Sequence, residues 1–110
     1  MTSPSKRKGS AWERAVVSFL REHGWPYVER SYGAGRPQDV GDIALPGWVL
    51  ECKAHRQFDL AGWVDEAETE RVNARQPFAA VIAKRRNKAT GDGYVVMTLE
   101  AFARLIRDDS

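Results

Sequence analysis

Trp12, Ala15, Val16, Phe19 and Leu20 recur at intervals of three and four, which places them on one face of a helix. Ser10 can cap its start, and Gly24 followed by Pro26 can end it after His23. Residues 1–9 lack this periodicity and are expected to form a flexible basic arm ahead of a single domain over 10–110. Tyr27 to Ser31 reads as a strand, and Gly33-Ala34-Gly35-Arg36-Pro37 as a small-residue turn open to close approach by a ligand. Val40 to Leu45 and Trp48 to Ala54 are apolar-rich runs separated by Pro46-Gly47, which is a hairpin signal.

Leu60, Trp63, Val64, Ala67, Arg71 and Ala74 trace one face of a second helix, capped by Asp59 and closed before Pro77. Its other face, with Asp65, Glu66, Glu68 and Glu70, reads as exposed acidic surface. Phe78 to Ala83 and Tyr94 to Met97 have strand length, and Thr98 caps a last helix expected to turn Leu99, Phe102, Leu105 and Ile106 inward. The order α-β-β-β-α-β-β-α predicts an α/β fold: a mixed five-stranded sheet flanked by helices.

At 110 residues the chain is one small domain, without room for separate binding and catalytic units. No apolar run approaches the roughly 20 residues that cross a bilayer, and no apolar stretch follows the basic N-terminus. Membrane insertion and secretion are not expected. The single cysteine, Cys52, leaves no internal disulfide or cysteine-rich zinc site, in keeping with a cytoplasmic setting. The net charge is only +2, yet Lys6, Arg7 and Lys8 form one basic cluster and Lys84, Arg85, Arg86 and Lys88 another. Such patches either meet phosphates or are solvated charge runs.

Candidate chemistry lies in the hairpin. A two-residue turn at Pro46-Gly47 pairs Leu45 with Trp48, Ile43 with Leu50 and Asp42 with Glu51. Side chains alternate along a strand, so Glu51 and Lys53 share a face with Asp42, while Leu50 and Cys52 point the other way. Opposed carboxylates repel, and a hard divalent ion such as Mg²⁺ offsets that repulsion. A trans Pro-Gly pair favours a type II turn, so a bulge could shift the register by one; Asp39 is then the reserve ligand. The bland alternative makes Glu51 and Lys53 surface residues of a half-exposed strand, a reading disfavoured by the apolar Trp48-Val49-Leu50 that leads into them.

With Asp42 in Gly-Asp-Ile and Glu51-Cys52-Lys53 as its Glu-X-Lys element, the sequence resembles the PD-(D/E)XK nuclease superfamily. More closely it resembles the archaeal-type Holliday-junction resolvases. That likeness runs through Lys8-Gly9-Ser10 leading into Trp12-Glu13-Arg14, Arg30 before a glycine-containing loop, Gly41-Asp42-Ile43-Ala44 and Leu50-Glu51-Cys52-Lys53. It spans about half the chain directly, and the order and spacing of the motifs carry it. One departure touches junction specificity: the loop has Ala34 where resolvases usually carry a serine, with Ser31 as a substitute.

The resemblance implies a restriction-endonuclease-like core and a Mg²⁺-dependent DNA endonuclease of recombination and repair, with Mn²⁺ able to replace Mg²⁺. Asp42 and Glu51, with the Cys52 carbonyl, would bind the metal, and Lys53 would position or activate the attacking water. The products would carry a 5′-phosphate and a 3′-hydroxyl. Glu13 would correspond to the family's helix glutamate near the metal, although Ser10-Ala11-Trp12-Glu13 also reads as a purely structural capping box.

Lys8, Arg30, Ser31, Arg36, Arg56, Lys84, Arg85, Arg86 and Lys88 are the candidate DNA contacts, most of them phosphate-binding cations with little base readout. Symmetrical cleavage of a four-way junction takes two active sites, so the resolvase reading implies a homodimer, with Trp25, Trp63 or Phe102 as candidate anchors. No catalytic role falls to His23, and at most a phosphate contact falls to His55. Two rival classes stand beside this one: another nuclease of the superfamily, of repair or restriction type, and a non-catalytic DNA-binding module in which the same carboxylates are structural.

Overall fold

β3 (Trp48–Lys53) sends alternate side chains into two apolar layers, and this organises the molecule. Leu50 and Cys52 pack against Trp12, Val16 and Val17 of α1 (Pro4–Glu22), whereas Val49 packs against Trp63 and Ala67 of α2 (Leu60–Ala74). The computed structural model describes residues 4–31 and 41–108. Within them, β1 (Glu29–Arg30), β2 (Ile43–Leu45), β3, β4 (Phe78–Ala83) and β5 (Tyr94–Val96) form one five-stranded sheet in that order, and α3 (Leu99–Asp108) closes the chain. β3 and β4 run parallel through the α2 crossover and every other pair is antiparallel, so the mixed α/β sheet is as expected.

Local signals account for most boundaries. The Asp59 carboxylate accepts from the Gly62 N–H at the start of α2, and Arg75 ends that helix in the left-handed conformation at φ 56°. Gly47 takes φ 89° after Pro46, as a type II turn requires, and the hairpin register is Leu45 to Trp48, Ala44 to Val49 and Ile43 to Leu50. α1 is longer than expected. It starts at Pro4, so residues 4–9 are helical and not an arm, and Ser10 lies inside the helix instead of capping it. Proline suits a first helical turn, and the polar residues 5–10 extend a helix whose apolar stripe begins only at Trp12.

α3 also departs from expectation. The Thr98 hydroxyl accepts from the Ala101 N–H and sets the helix rotation so that Ala101 is buried and Leu105 half-buried. Leu99, Phe102 and Ile106 lie on the opposite side and are 82%, 47% and 53% exposed. Trp63 is core and not a free surface anchor, while Trp25 is exposed. Among the described residues no helix is long and apolar enough to cross a membrane.

Trp12 ties α1 to the sheet by donating from Nε1 to the Ile82 carbonyl at 2.9 Å. Trp12→Phe keeps an aromatic body but removes the donor, and is expected to lower the unfolding free energy by about 1–3 kcal/mol, read from urea unfolding. A loss below about 0.5 kcal/mol would show that the bond does not fasten the helix.

Candidate active site at the edge of β3

Beyond Leu50 the β2–β3 ladder stops, and Asp42 takes over. Its N–H donates to the Leu50 carbonyl at 2.7 Å, and its own carbonyl accepts from Ser31 N–H at 2.9 Å. Asp42 is therefore slipped one residue from the simple pairing with Glu51, in the manner of a bulge. Gly41 makes the slip possible. It sits at φ 81°, and a Cβ there would lie 2.8 Å from both the nitrogen and the oxygen of Leu50. The slip leaves the Cys52 N–H without a strand partner, and Asp42 Oδ2 accepts it at 2.8 Å. Because the N–H and C=O of one strand residue share an edge, the Cys52 carbonyl faces the same side.

Glu51 receives this arrangement from its own strand and from α2. The carboxylates of Glu70 and Asp42 both stand within hydrogen-bonding reach of it. Burial, then the contact with Glu70, then the charge of Asp42 push the Glu51 carboxyl up to about 10. Burial and Asp42 likewise raise Glu13, an effect opposed by Arg30, whose Nε and Nη2 both reach Glu13 Oε1 at 3.1 Å. Glu13 is thus braced by Arg30 and not by a capping box. Burial, followed by Asp42, also raises the Cys52 thiol, which stays an inert core group.

The expected convergence of Asp42, Glu51 and Lys53 is met in part. Asp42 and Glu51 adjoin, but the Lys53 amine stands 4.0 Å from Glu66 Oε2 of α2 and 5.9 Å from the Trp63 ring centroid. Glu70, assigned by sequence to exposed surface, is instead half-buried against Glu51, and its Oε2 has no hydrogen-bond partner among the described residues. Its signal was its place three residues after the inward-facing Ala67. Ser31 Oγ is likewise buried and unpartnered among the described residues. Arg36 and Asp39 lie outside them.

Directly after Lys53 comes a basic cleft of about 380 Å³, lined by Lys8, Ala54, His55, Arg56, Lys84, Arg86 and Asn87. It opens where the parallel strands β3 and β4 end, a place where α/β sheets commonly receive ligands. Four of the expected DNA contacts, Lys8, Arg56, Lys84 and Arg86, meet there. Arg85 stands over the Tyr94 ring instead, 5.2 Å from its centroid, and the exposed Lys88 is not part of the lining. Asn87 escaped sequence reading; at φ 61° it makes the turn that follows β4. His23 stacks on Phe19 at 3.9 Å, a local contact at the end of α1.

No family model, curated protein or solved structure matches the chain. Among the described residues, no three His, Cys, Asp or Glu side chains are arranged ready to hold a metal ion. The carboxylates of Asp42, Glu51 and Glu70 instead crowd one another, which has a measurable consequence. Unfolded Glu51 loses its proton near 4.5, whereas the folded chain keeps it until about 10, so stability falls as pH rises through that window. With chelator present, Glu51→Gln should be more stable than the native chain by about 1–3 kcal/mol at pH 7–8, and equal to it near pH 4. Thermal melts across that range check this, and a pH-independent difference would remove the buried proton from the account.

Proposed function

We propose that the chain is a divalent-metal-dependent DNA endonuclease with a PD-(D/E)XK, restriction-endonuclease-like core, acting as a structure-specific Holliday-junction resolvase. The observation that carries this reading is the Asp42 carboxylate fixed on the Cys52 amide beside Glu51, with a cationic cleft opening one residue past Lys53. The donors suit a hard cation: carboxylate oxygens, a backbone carbonyl, and a buried Glu70 oxygen with no partner among the described residues.

Asp42 and Glu51, with the Cys52 carbonyl, would hold Mg²⁺ or Mn²⁺. When bound, the ion supplies Lewis acidity toward a phosphoryl oxygen and neutralises developing charge. Lys53 orients the attacking water, and Glu13, steadied by Arg30, borders the Asp42 side. Lys8, Arg56, Lys84 and Arg86 grip the phosphates that flank the scissile one, without reading bases. Work on a four-way junction needs two such sites, and the exposed Leu99, Phe102 and Ile106 stripe, or separately the exposed Trp25, offers apolar surface for pairing.

A second reading, a DNA-binding module with structural carboxylates, draws on the Lys53 amine facing Glu66 and on the absence of a ready-made metal cluster among the described residues. Cleavage of labelled four-way junction, flap and duplex DNA with Mg²⁺ separates the readings. Junction cutting into paired nicked duplexes is expected, with Asp42→Asn and Lys53→Ala slower by about a hundredfold or more. Equal cutting of all three substrates points to a repair or restriction-type enzyme. No cutting with any divalent ion, together with binding that EDTA does not change, leaves the binding module.

The cleft has its own test. In EDTA, Lys84→Ala combined with Arg86→Ala should reduce the slope of log K against log salt by about 2, near 0.9 for each phosphate that is no longer neutralised. An unchanged slope would place the DNA elsewhere.

A further inference from the structure

We infer that Glu70 is a further carboxylate ligand of the divalent cation at Glu51, so that the metal site is built from α2 as well as from the β2–β3 hairpin. This rests on the proposed metal-dependent reading and adds a residue to it. On α2, Trp63 and Ala67 are the buried positions against the sheet, and Glu70 follows one turn later on the same stripe. An apolar side chain is the ordinary occupant of such a position. A carboxylate set there loses water and needs a cation or a donor to offset the loss.

The neighbouring acids of α2 have that offset: Glu68 Oε1 lies 2.9 Å from Arg71 Nε, and Glu66 Oε2 lies 4.0 Å from Lys53 Nζ. Glu70 meets Glu51 instead, another carboxylate, and its Oε2 is fully buried with no hydrogen-bond partner among the described residues. Two acids in direct contact are reconciled either by a shared proton or by a cation between them. On the proposed reading Glu51 holds the cation together with Asp42, so Glu70, which adjoins Glu51, would add a hard donor of the type Mg²⁺ and Mn²⁺ take once its carboxylate turns to the ion.

The test is Mn²⁺ binding to the full chain without DNA, followed by calorimetry and by the electron paramagnetic resonance signal of free Mn²⁺, with melting temperature as a second readout. Native chain, Asp42→Asn, Glu70→Gln, Glu70→Ala and the control Glu68→Gln are compared. Glu70→Ala is expected to weaken Mn²⁺ binding about tenfold or more and to shrink the Mn²⁺-induced rise in melting temperature. Glu70→Gln, with one carbonyl donor left, should weaken it less, and Glu68→Gln not at all.

If Asp42→Asn loses Mn²⁺ while both Glu70 variants bind as the native chain does, Glu70 is no ligand and the metal-dependent reading stands. If the native chain binds no Mn²⁺, that reading and this inference fall together. Should Glu70→Ala fail to melt cooperatively, Glu70→Gln decides, and native affinity in it overturns the inference.

Discussion

A strand that runs past the end of its neighbour leaves amide hydrogens that the sheet cannot satisfy. β3 does this at Cys52, and the Asp42 carboxylate fills the place of the missing strand. That bond fixes more than one amide. It holds an acid just ahead of β2, where it raises both Glu13 and Glu51, and it is reached through the left-handed Gly41 and the slipped pairing with Leu50. A side chain in place of the Gly41 hydrogen would collide with the backbone of Leu50, so the acid and the glycine before it act as one unit.

The cluster around that bond is electrostatically expensive. Burial and like charge both work against the ionised form of Glu51, while at the adjoining Glu13 Arg30 pulls the other way. Apolar packing on both faces of β3 holds the acids together against this repulsion. Groups held in an unfavourable state by the surrounding fold are common where a site awaits a ligand of opposite charge. On the proposed reading, the energy stored in crowding becomes affinity for a cation.

Much of the fold was legible because the relevant signals are local. Asp59 and Pro77 bracket α2, Pro46-Gly47 sets the hairpin, and the unbroken apolar run Phe78 to Ala83 is β4. What escaped depends on contacts between distant elements. Residues before Trp12 carry no apolar stripe, so the start of α1 at Pro4 left no periodic trace. The α3 residues Leu99, Phe102 and Ile106 make a good apolar face, but in the helix capped by Thr98 it is Ala101 and Leu105 that turn inward. Glu70 was counted with the exposed acids because charge pattern alone cannot say which acidic position of a helix lies over a strand carboxylate. Asp42 and Glu51 were found for the opposite reason: nine residues apart, they are brought together by a turn that the sequence spells out.

The acid pair and the cationic cleft are carried by different connections. Asp42 and Glu51 belong to a hairpin locked by core residues on both faces, whereas His55, Arg56, Lys84, Arg86 and Asn87 sit in the segments that follow β3 and β4. Loop segments tolerate exchange and insertion far better than a packed strand pair does. On the proposed reading, the grip on a polyanion is therefore free to drift in length and charge while the acids stay in place, and one chemistry would be offered to differently shaped strands by rewriting two short connections.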